Sequence, residues 1–499
     1  MDAPVPLIAC ALLAAGAMLL TDPRRRALAT VGALLLAPVL LVSSIWDSEQ
    51  LEPLRDRPLL MAGAVVVGLA VVAALAALFH RRPTLLPIAA AVALPFRVPI
   101  AAAGMTANLL VPLYLVIGAG ALAYAVPRLR SEPEGEAVRR ERAPGPLPWL
   151  LALSLVAYAA QASYSDDFEK ALENVVFFYV PFALLFALLT RMQWTRKLVL
   201  QVLGALTALA LLFAAIGFVE YATKHLLLNP KVIASNQIES YFRVNSLFFD
   251  PNIYGRFLAI VMLGVTAFLL WAQRARDAAA ATVVLAILWA GLVLTLSQTS
   301  FAALLAGLAV LGGLRWSPRR AAAAAALVVA AGAAFVLLAP DSVRLDLRDS
   351  KAADASTSGR YELIRGGLRL VGDEPLTGHG SGAFSRAYRR AEKGSEERAV
   401  SASHTIPITV AAEQGVGGLA LYVALLAVAF VTLLRGSRGD PVRAAVAAAF
   451  AALVLHTWSY AAFLEDPLTW ALLAVGLALA HEASRRRRAA AAERAPAVA

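Results

Sequence analysis

The chain has 499 residues, 60% of them hydrophobic and 16% charged, with a formal net charge of +11 and a single cysteine. So large an apolar share excludes a water-soluble globule, and the lone Cys10 excludes an intramolecular disulfide and a cysteine-based zinc site. The positive excess falls mostly in short loops, where it reads as a topology signal rather than as a surface for nucleic acid.

Apolar runs long enough to cross ~30 Å of hydrocarbon recur along the whole chain. They are continuous rather than alternating, which selects helices over a closed barrel among the structures that pair every backbone group inside lipid. About fifteen spans are expected, near 5–20, 27–45, 58–79, 84–101, 107–126, 147–160, 172–190, 197–221, 253–272, 279–297, 299–314, 321–339, 412–434, 441–459 and 466–482. The predicted fold class is therefore all-α, a polytopic transmembrane bundle of about 12–15 spans with a large, partly helical extracytoplasmic loop. No cleavable signal peptide is expected, because basic residues follow the 5–20 run instead of preceding it.

Arginine-bearing loops alternate with acidic or mixed ones. Arg24-Arg25-Arg26, Arg81-Arg82, Arg128 to Arg142, Arg191 to Lys197, Arg274 and Arg276, Arg315 to Arg320, Arg435 to Arg443 and the tail Arg485 to Arg488 all fall on one side of the predicted bundle. The positive-inside rule makes that side cytoplasmic and leaves the N-terminus outside. The expected organisation is N-terminal helices over 1–126, a cytoplasmic linker over 127–146 and central helices over 147–339 with an outer loop at 222–252. An extracytoplasmic catalytic loop over 340–411, C-terminal helices over 412–483 and a basic cytoplasmic tail over 484–499 complete it. The linker, rich in Arg, Glu and Pro, is too short for a nucleotide-binding domain. No P-loop and no glycine fingerprint between a strand and a helix appears, which argues against ATP drive.

Chemistry concentrates in the polar stretch 340–415. Tyr361, Ile364, Leu368 and Val371 share a helical spacing over 358–371, with Arg360 in the first turn. A turn carrying four glycines and a proline follows over 372–383, where exposed backbone amides would cradle an anion. A second helix is expected from Phe384 to Ala391, then Ser403-His404 at the start of the next span and Glu413-Gln414-Gly415 within it. His379, inside the glycine turn, reads as structural. Arg97, between Pro95 and Pro99 in an apolar run, is an intramembrane charge and a secondary functional candidate.

Gly359-Arg360, the Pro375-Leu376-Thr377-Gly378-His379-Gly380 turn, Ser403-His404 and Glu413-Gln414-Gly415 resemble, in that order, the core of the O-antigen ligase and polymerase family. Arg243 with Asp250-Pro251-Asn252 and Gly255, and Ser297-Gln298-Thr299, resemble its upstream segments, so the likeness spans roughly 240–480. Thr405 stands where the family usually has Asn, and Gln298 where it commonly has Arg. The resemblance implies a membrane glycosyltransferase of the bacterial cytoplasmic membrane, its active site facing outward. It would move a glycan from an undecaprenyl-pyrophosphate carrier to an acceptor hydroxyl on a lipid or glycan, without a nucleotide sugar, a cofactor or a required metal. It further implies His404 as the base on the acceptor hydroxyl and Arg360 and Arg243 on the pyrophosphate, with Gly378, Gly380 and Glu413 in the binding site. Those roles suit the residue types, since guanidinium groups offer fixed forked donors to an oxyanion and histidine exchanges protons near neutral pH. The ligase reading is preferred over a polymerase of carrier-linked repeat units. A transporter of a small solute such as bicarbonate comes second to the enzyme, because the spans read as nearly free of ionisable residues apart from Arg97, and a purely structural membrane scaffold comes third, because it leaves the order of arginine, turn and histidine unexplained.

Overall fold

The computed structural model describes residues 4–46, 56–96, 98–102, 105–130, 143–227, 233, 236, 241–320, 322–323, 326, 360–392, 405–460 and 462–494. They form a helical bundle. In chain order the elements are α1 (Pro4–Leu19), α2 (Pro23–Ile45), α3 (Pro58–Arg81), α4 (Leu85–Ala93), β1 (Val98–Ala102), β2 (Met105–Leu109), α5 (Val111–Arg130) and α6 (Pro146–Gln161). Next come α7 (Phe168–Glu173), a π-helical turn (Asn174–Tyr179) running into α8 (Val180–Thr190), α9 (Arg196–Thr223), α10 (Pro251–Leu270), α11 (Ala275–Thr295) and α12 (Gln298–Arg315). α13 (Arg360–Asp373), α14 (Phe384–Glu392), α15 (Ile406–Leu434), α16 (Pro441–Ser459) and α17 (Pro467–Arg494) complete the described chain. Among the described residues, 11 helices are long and apolar enough to cross a membrane, and α1 is a shorter apolar helix. This is a multi-pass membrane protein.

Four spans begin with the same two residues, Asp-Pro, at 22–23, 250–251, 440–441 and 466–467. The aspartate side chain accepts from an amide of the first turn: Arg25 for Asp22, Asn252 for Asp250, Val442 and Arg443 for Asp440, and Leu468 for Asp466. The proline fills N1, where its missing N–H costs nothing. The basic loops gather at one end of the bundle. Arg26, Arg191 and Arg485 line one cavity there, Arg196, Arg274 and Pro441 line another, and Gly436 lies against Arg487.

The structure corrects the sequence reading in two places. The expected span over 84–101 is broken: α4 stops at Ala93, and an antiparallel hairpin follows, with Val98 paired to Leu109 and Ala102 to Met105. Pro95 and Pro99 cannot continue a helix, and the Val, Ile and Thr residues around them favour an extended chain. The spans are also not free of ionisable groups. Arg26, Glu220, Arg256 and His456 are all buried within membrane helices. The expected span over 321–339 lies almost wholly outside the described residues.

Two aliphatic cores hold the bundle. One joins α1, α5, α6, α8, α15 and α17 around Phe182, Phe186 and Trp470; the other joins α9 to α12 and α16 around Phe213, Tyr254 and Phe257. α13 and α14 pack on the start of α15 through Leu370, Phe384, Ala387 and Ala412. At the end away from the arginines, these two halves carry separate polar groups.

Candidate functional site

The first polar group forms where α10 and α12 begin. Gly255 lets the two N-termini meet: a Cβ there would lie 2.6 Å from Ser300 Oγ and 3.2 Å from Thr295 Oγ1. With Asp250 used as cap and Pro251 at N1, Asn252 turns its side chain toward Arg243. The Arg243 guanidinium donates from Nε to the Thr295 carbonyl (3.0 Å) and from Nη2 to Asn252 Oδ1 (3.3 Å). Its backbone exchanges two hydrogen bonds with the Asn236 amide (2.9 and 3.1 Å). Below it, the buried Glu220 carboxylate accepts from Ser246 N (2.7 Å) and Leu227 N (3.4 Å), holding a turn in which Ser246 takes a left-handed φ of 50°. Among the described residues no carboxylate pairs with Arg243. A fixed guanidinium beside two helix N-termini, with no counter-ion among the described residues, is a site that favours an anion. Lys224, from the same loop, is instead committed to the rings of Tyr221 and Phe242, 3.5 and 5.0 Å from their centroids.

Ser297 extends this group inward. Its hydroxyl donates to Asn252 Oδ1 (2.8 Å) and lies 3.2 Å from Thr299 Oγ1 and 2.8 Å from Ser300 Oγ. Thr299 in turn lies 3.5 Å from Nε2 of His456, which is fully buried. One turn deeper on α10, Arg256 forms a buried ion pair with Asp466, the cap of α17.

The second polar group joins the glycine turn to α15. Gly378, Gly380 and Gly382 all have positive φ, and a Cβ on Gly380 would come within 2.2 Å of Ser165 Cα. α15 itself breaks at Gly415 (φ 66°, ψ −167°), because Leu376 O occupies the space where a side chain would stand. A break inside a membrane helix frees backbone groups that must be paired again. Here the turn pairs them: His379 N donates to Ala412 O (3.0 Å), Gly380 N to Glu413 O (2.9 Å), and Val416 N to Pro375 O (2.9 Å). The Glu413 carboxylate accepts from Gly382 N (3.0 Å) and Phe384 N (3.2 Å). Tyr164, Ser165, Asp166 and Arg386 add further bonds around the turn.

This geometry corrects the expectation of an open anion cradle. The amides of Gly378 and Gly380 are bonded to Glu374 O and Glu413 O, so neither is free to take a ligand. Among the described residues Glu413 pairs with no arginine; it staples the turn to the helix. His379 is structural in the sense expected, with Nε2 at 3.3 Å from Leu370 O. Of the other candidates, Arg360 is the first residue of α13, with its side chain outside the described part. His404 and Arg97 lie outside the described residues.

The loop from Tyr460 to Asp466 bridges the two groups. Asp466 reaches Arg256 on one side, while Glu465 accepts from the Tyr179 hydroxyl (2.8 Å) in the π-helical turn on the other. That turn also carries Asn174, which donates to Tyr158 Oη (2.7 Å). A π-helical turn and a left-handed alanine (Ala462, φ 81°) meet at this bridge, and such features recur at functional sites.

Residues 281–423, from within α11 to the middle of α15, match the family model described as O-antigen ligase. That stretch, less than half of the chain, is similar to an O-antigen ligase domain. No curated protein matches the chain as a relative. The O-antigen ligase match takes in Ser297, Thr299, Arg360, the glycine turn, His404 and Glu413. Arg243, Asn252, Arg256, His456, Glu465 and Asp466 lie outside it and join the domain through space. The last four were not singled out in the sequence; the signal was there in Arg256 and His456, which are ionisable residues inside apolar spans.

Proposed function

We propose that the protein transfers a glycan from an undecaprenyl-pyrophosphate carrier to an acceptor hydroxyl at the outer face of the bacterial cytoplasmic membrane. The observation that carries this reading is the Arg243 guanidinium, held by Thr295 O and Asn252 with no carboxylate partner among the described residues, in a chain with a stretch similar to an O-antigen ligase domain. In this scheme Arg243 and Arg360 hold the pyrophosphate and stabilise the charge it gains as the bond to the anomeric carbon breaks. His404 takes the proton of the attacking hydroxyl. It precedes Thr405, the residue before α15, so the glycine turn and Glu413 act by fixing the helix that His404 leads into. The carrier's chain lies along the apolar helices, and ligation to a separate acceptor is preferred over polymerisation. No metal or cofactor takes part in the scheme.

The test uses protein in liposomes with a defined undecaprenyl-pyrophosphate oligosaccharide, with and without candidate lipid or glycan acceptors, read on glycan gels. Product only with acceptor identifies a ligase, and a ladder from donor alone a polymerase. Arg243→Ala, Arg360→Ala and His404→Ala are each expected to lower turnover at least a hundredfold, the usual scale for removing an oxyanion donor or a general base. Turnover that survives all three overturns the site.

A further inference from the structure

The polar chain beneath Arg243 has a direction, and its far end is a residue with no assigned role. Asn252 Oδ1 accepts twice, from Arg243 Nη2 (3.3 Å) and from the Ser297 hydroxyl (2.8 Å). A serine hydroxyl has one hydrogen, and with it on Asn252 the Ser297 oxygen can only accept; Ser300 Oγ, 2.8 Å away, has its own hydrogen on Asn252 O (3.2 Å), which leaves Thr299 as the hydroxyl able to donate to it. Thr299, 3.2 Å away, therefore donates to Ser297 Oγ. Having spent its own hydrogen, Thr299 Oγ1 can only accept, and Nε2 of His456, 3.5 Å away, donates to it in the tautomer that carries its hydrogen there. The chain reads His456 to Thr299 to Ser297 to Asn252, every step donating the same way, and ends on the oxygen that also holds Arg243. It runs through a dry interior, where His456 and Ser300 are fully buried and Ser297 almost so. In such surroundings aligned hydrogen bonds strengthen one another, and a missing end member weakens those above it.

We propose that His456 is a positioning residue for the anion site. Carrying its hydrogen on Nε2, it polarises the Thr299–Ser297 chain so that Asn252 presents an oxygen, and only an oxygen, to Arg243. This rests on the reading of Arg243 as the group that receives the carrier's pyrophosphate. Without His456 the hydroxyls can reverse, Asn252 can turn its amide nitrogen inward, and the guanidinium loses one of its two fixed anchors. The chain draws on three segments, Asn252 at the start of α10, Ser297 and Thr299 at the start of α12, and His456 on α16.

The experiment measures binding of undecaprenyl pyrophosphate to the full-length protein in nanodiscs. Wild type is expected to bind and Arg243→Ala to lose binding; if wild type does not bind, or Arg243→Ala binds as well as wild type, the reading of Arg243 falls and this proposal with it. Given that frame, His456→Leu and Thr299→Val are each expected to weaken binding about five- to tenfold, the scale of one net hydrogen bond. His456→Gln, which keeps a donor near the Nε2 position, and Thr299→Ser restore it. The double variant His456→Leu/Thr299→Val is expected to be no weaker than either single one, since both cut the same chain. A merely structural histidine would instead give additive losses, and no rescue by glutamine. Variants that bind like wild type while Arg243→Ala does not overturn the proposal and leave the site reading intact. Thermal unfolding of each variant in the same nanodiscs separates misfolding from lost positioning.

Discussion

Glu465 accepts a hydrogen bond from Tyr179, yet burial holds its carboxyl above the usual range, since a charge removed from water costs more than that bond returns. The folded state then binds a proton more tightly than the unfolded chain, so this group favours folding below the ordinary carboxylate pKa and disfavours it increasingly as pH rises through the folded value. Glu465→Gln keeps an acceptor for Tyr179 and removes the charge. The variant is expected to unfold at a higher temperature than wild type near pH 8, with the gap closing toward pH 4.5. Thermal scans in detergent at the two pH values check this; an equal gap at both would show that burial does not raise the Glu465 carboxyl above its ordinary range. Side chains that the sequence exposed as candidates fared by what surrounds them. Arg243 was legible through the resemblance of the arginine and Asp250-Pro251-Asn252 to the family's upstream segment. Glu465 was not, because a Glu-Asp pair ahead of a proline reads as an ordinary solvated cap.

The glycine turn and α15 form one unit. The His379 and Gly380 amides take their acceptors from the break at Gly415, and the break would leave bare carbonyls without the turn. The sequence revealed that this turn mattered but not where its amides point, because the acceptors lie more than thirty residues along the chain. Glu413 is the member that neutral replacement exposes. Its two carboxylate oxygens each accept one amide, from Gly382 and Phe384, whereas glutamine offers one oxygen and would set an NH₂ against an N–H. Glu413→Gln is expected to destabilise by about 1–3 kcal/mol, the cost of one buried donor left unpaired. Glu413→Asp, too short to span both amides, is expected to fare no better. Retained thermal stability in both variants would remove the staple from the account. The tie between α10 and α17 behaves differently. Arg256→Met leaves Asp466 buried without its partner, for about 3–5 kcal/mol. Adding Asp466→Asn, which still caps α17, is expected to restore most of that stability. A double variant no more stable than Arg256→Met would show that the pair is not what the single substitution breaks.

At the scale of the whole molecule, the bundle was legible because continuous apolar runs leave a membrane chain few alternatives to helices. Helix ends were legible where Asp-Pro marks them. The hairpin after α4 was hidden because Val98 to Ala102 is as apolar as the helix before it, and only its prolines distinguish it. The intramembrane Arg256 and His456 were passed over because each is a single residue in a long apolar run, and only packing shows that they face a partner rather than lipid. The arrangement leaves one global quantity to be fixed by measurement, the orientation of the bundle. The end that gathers the arginines is expected to face the cytoplasm under the positive-inside bias, which puts the Arg243 group and the glycine turn on the outside. The chain suits a cysteine test, because its one cysteine, Cys10, is buried in α1 and contributes little background. Leu376, 76% exposed on the glycine turn, and Arg438, exposed in the loop between α15 and α16, report on opposite ends. In right-side-out membrane vesicles a membrane-impermeant maleimide is expected to label Leu376→Cys directly, and Arg438→Cys only after the vesicles are opened. The reverse pattern would place the anion site in the cytoplasm, where no carrier-linked glycan awaiting export-side transfer could reach it, and the glycosyl-transfer reading would fall. Labelling of both without opening the vesicles would contradict the antiparallel course of α15 and α16 across the membrane.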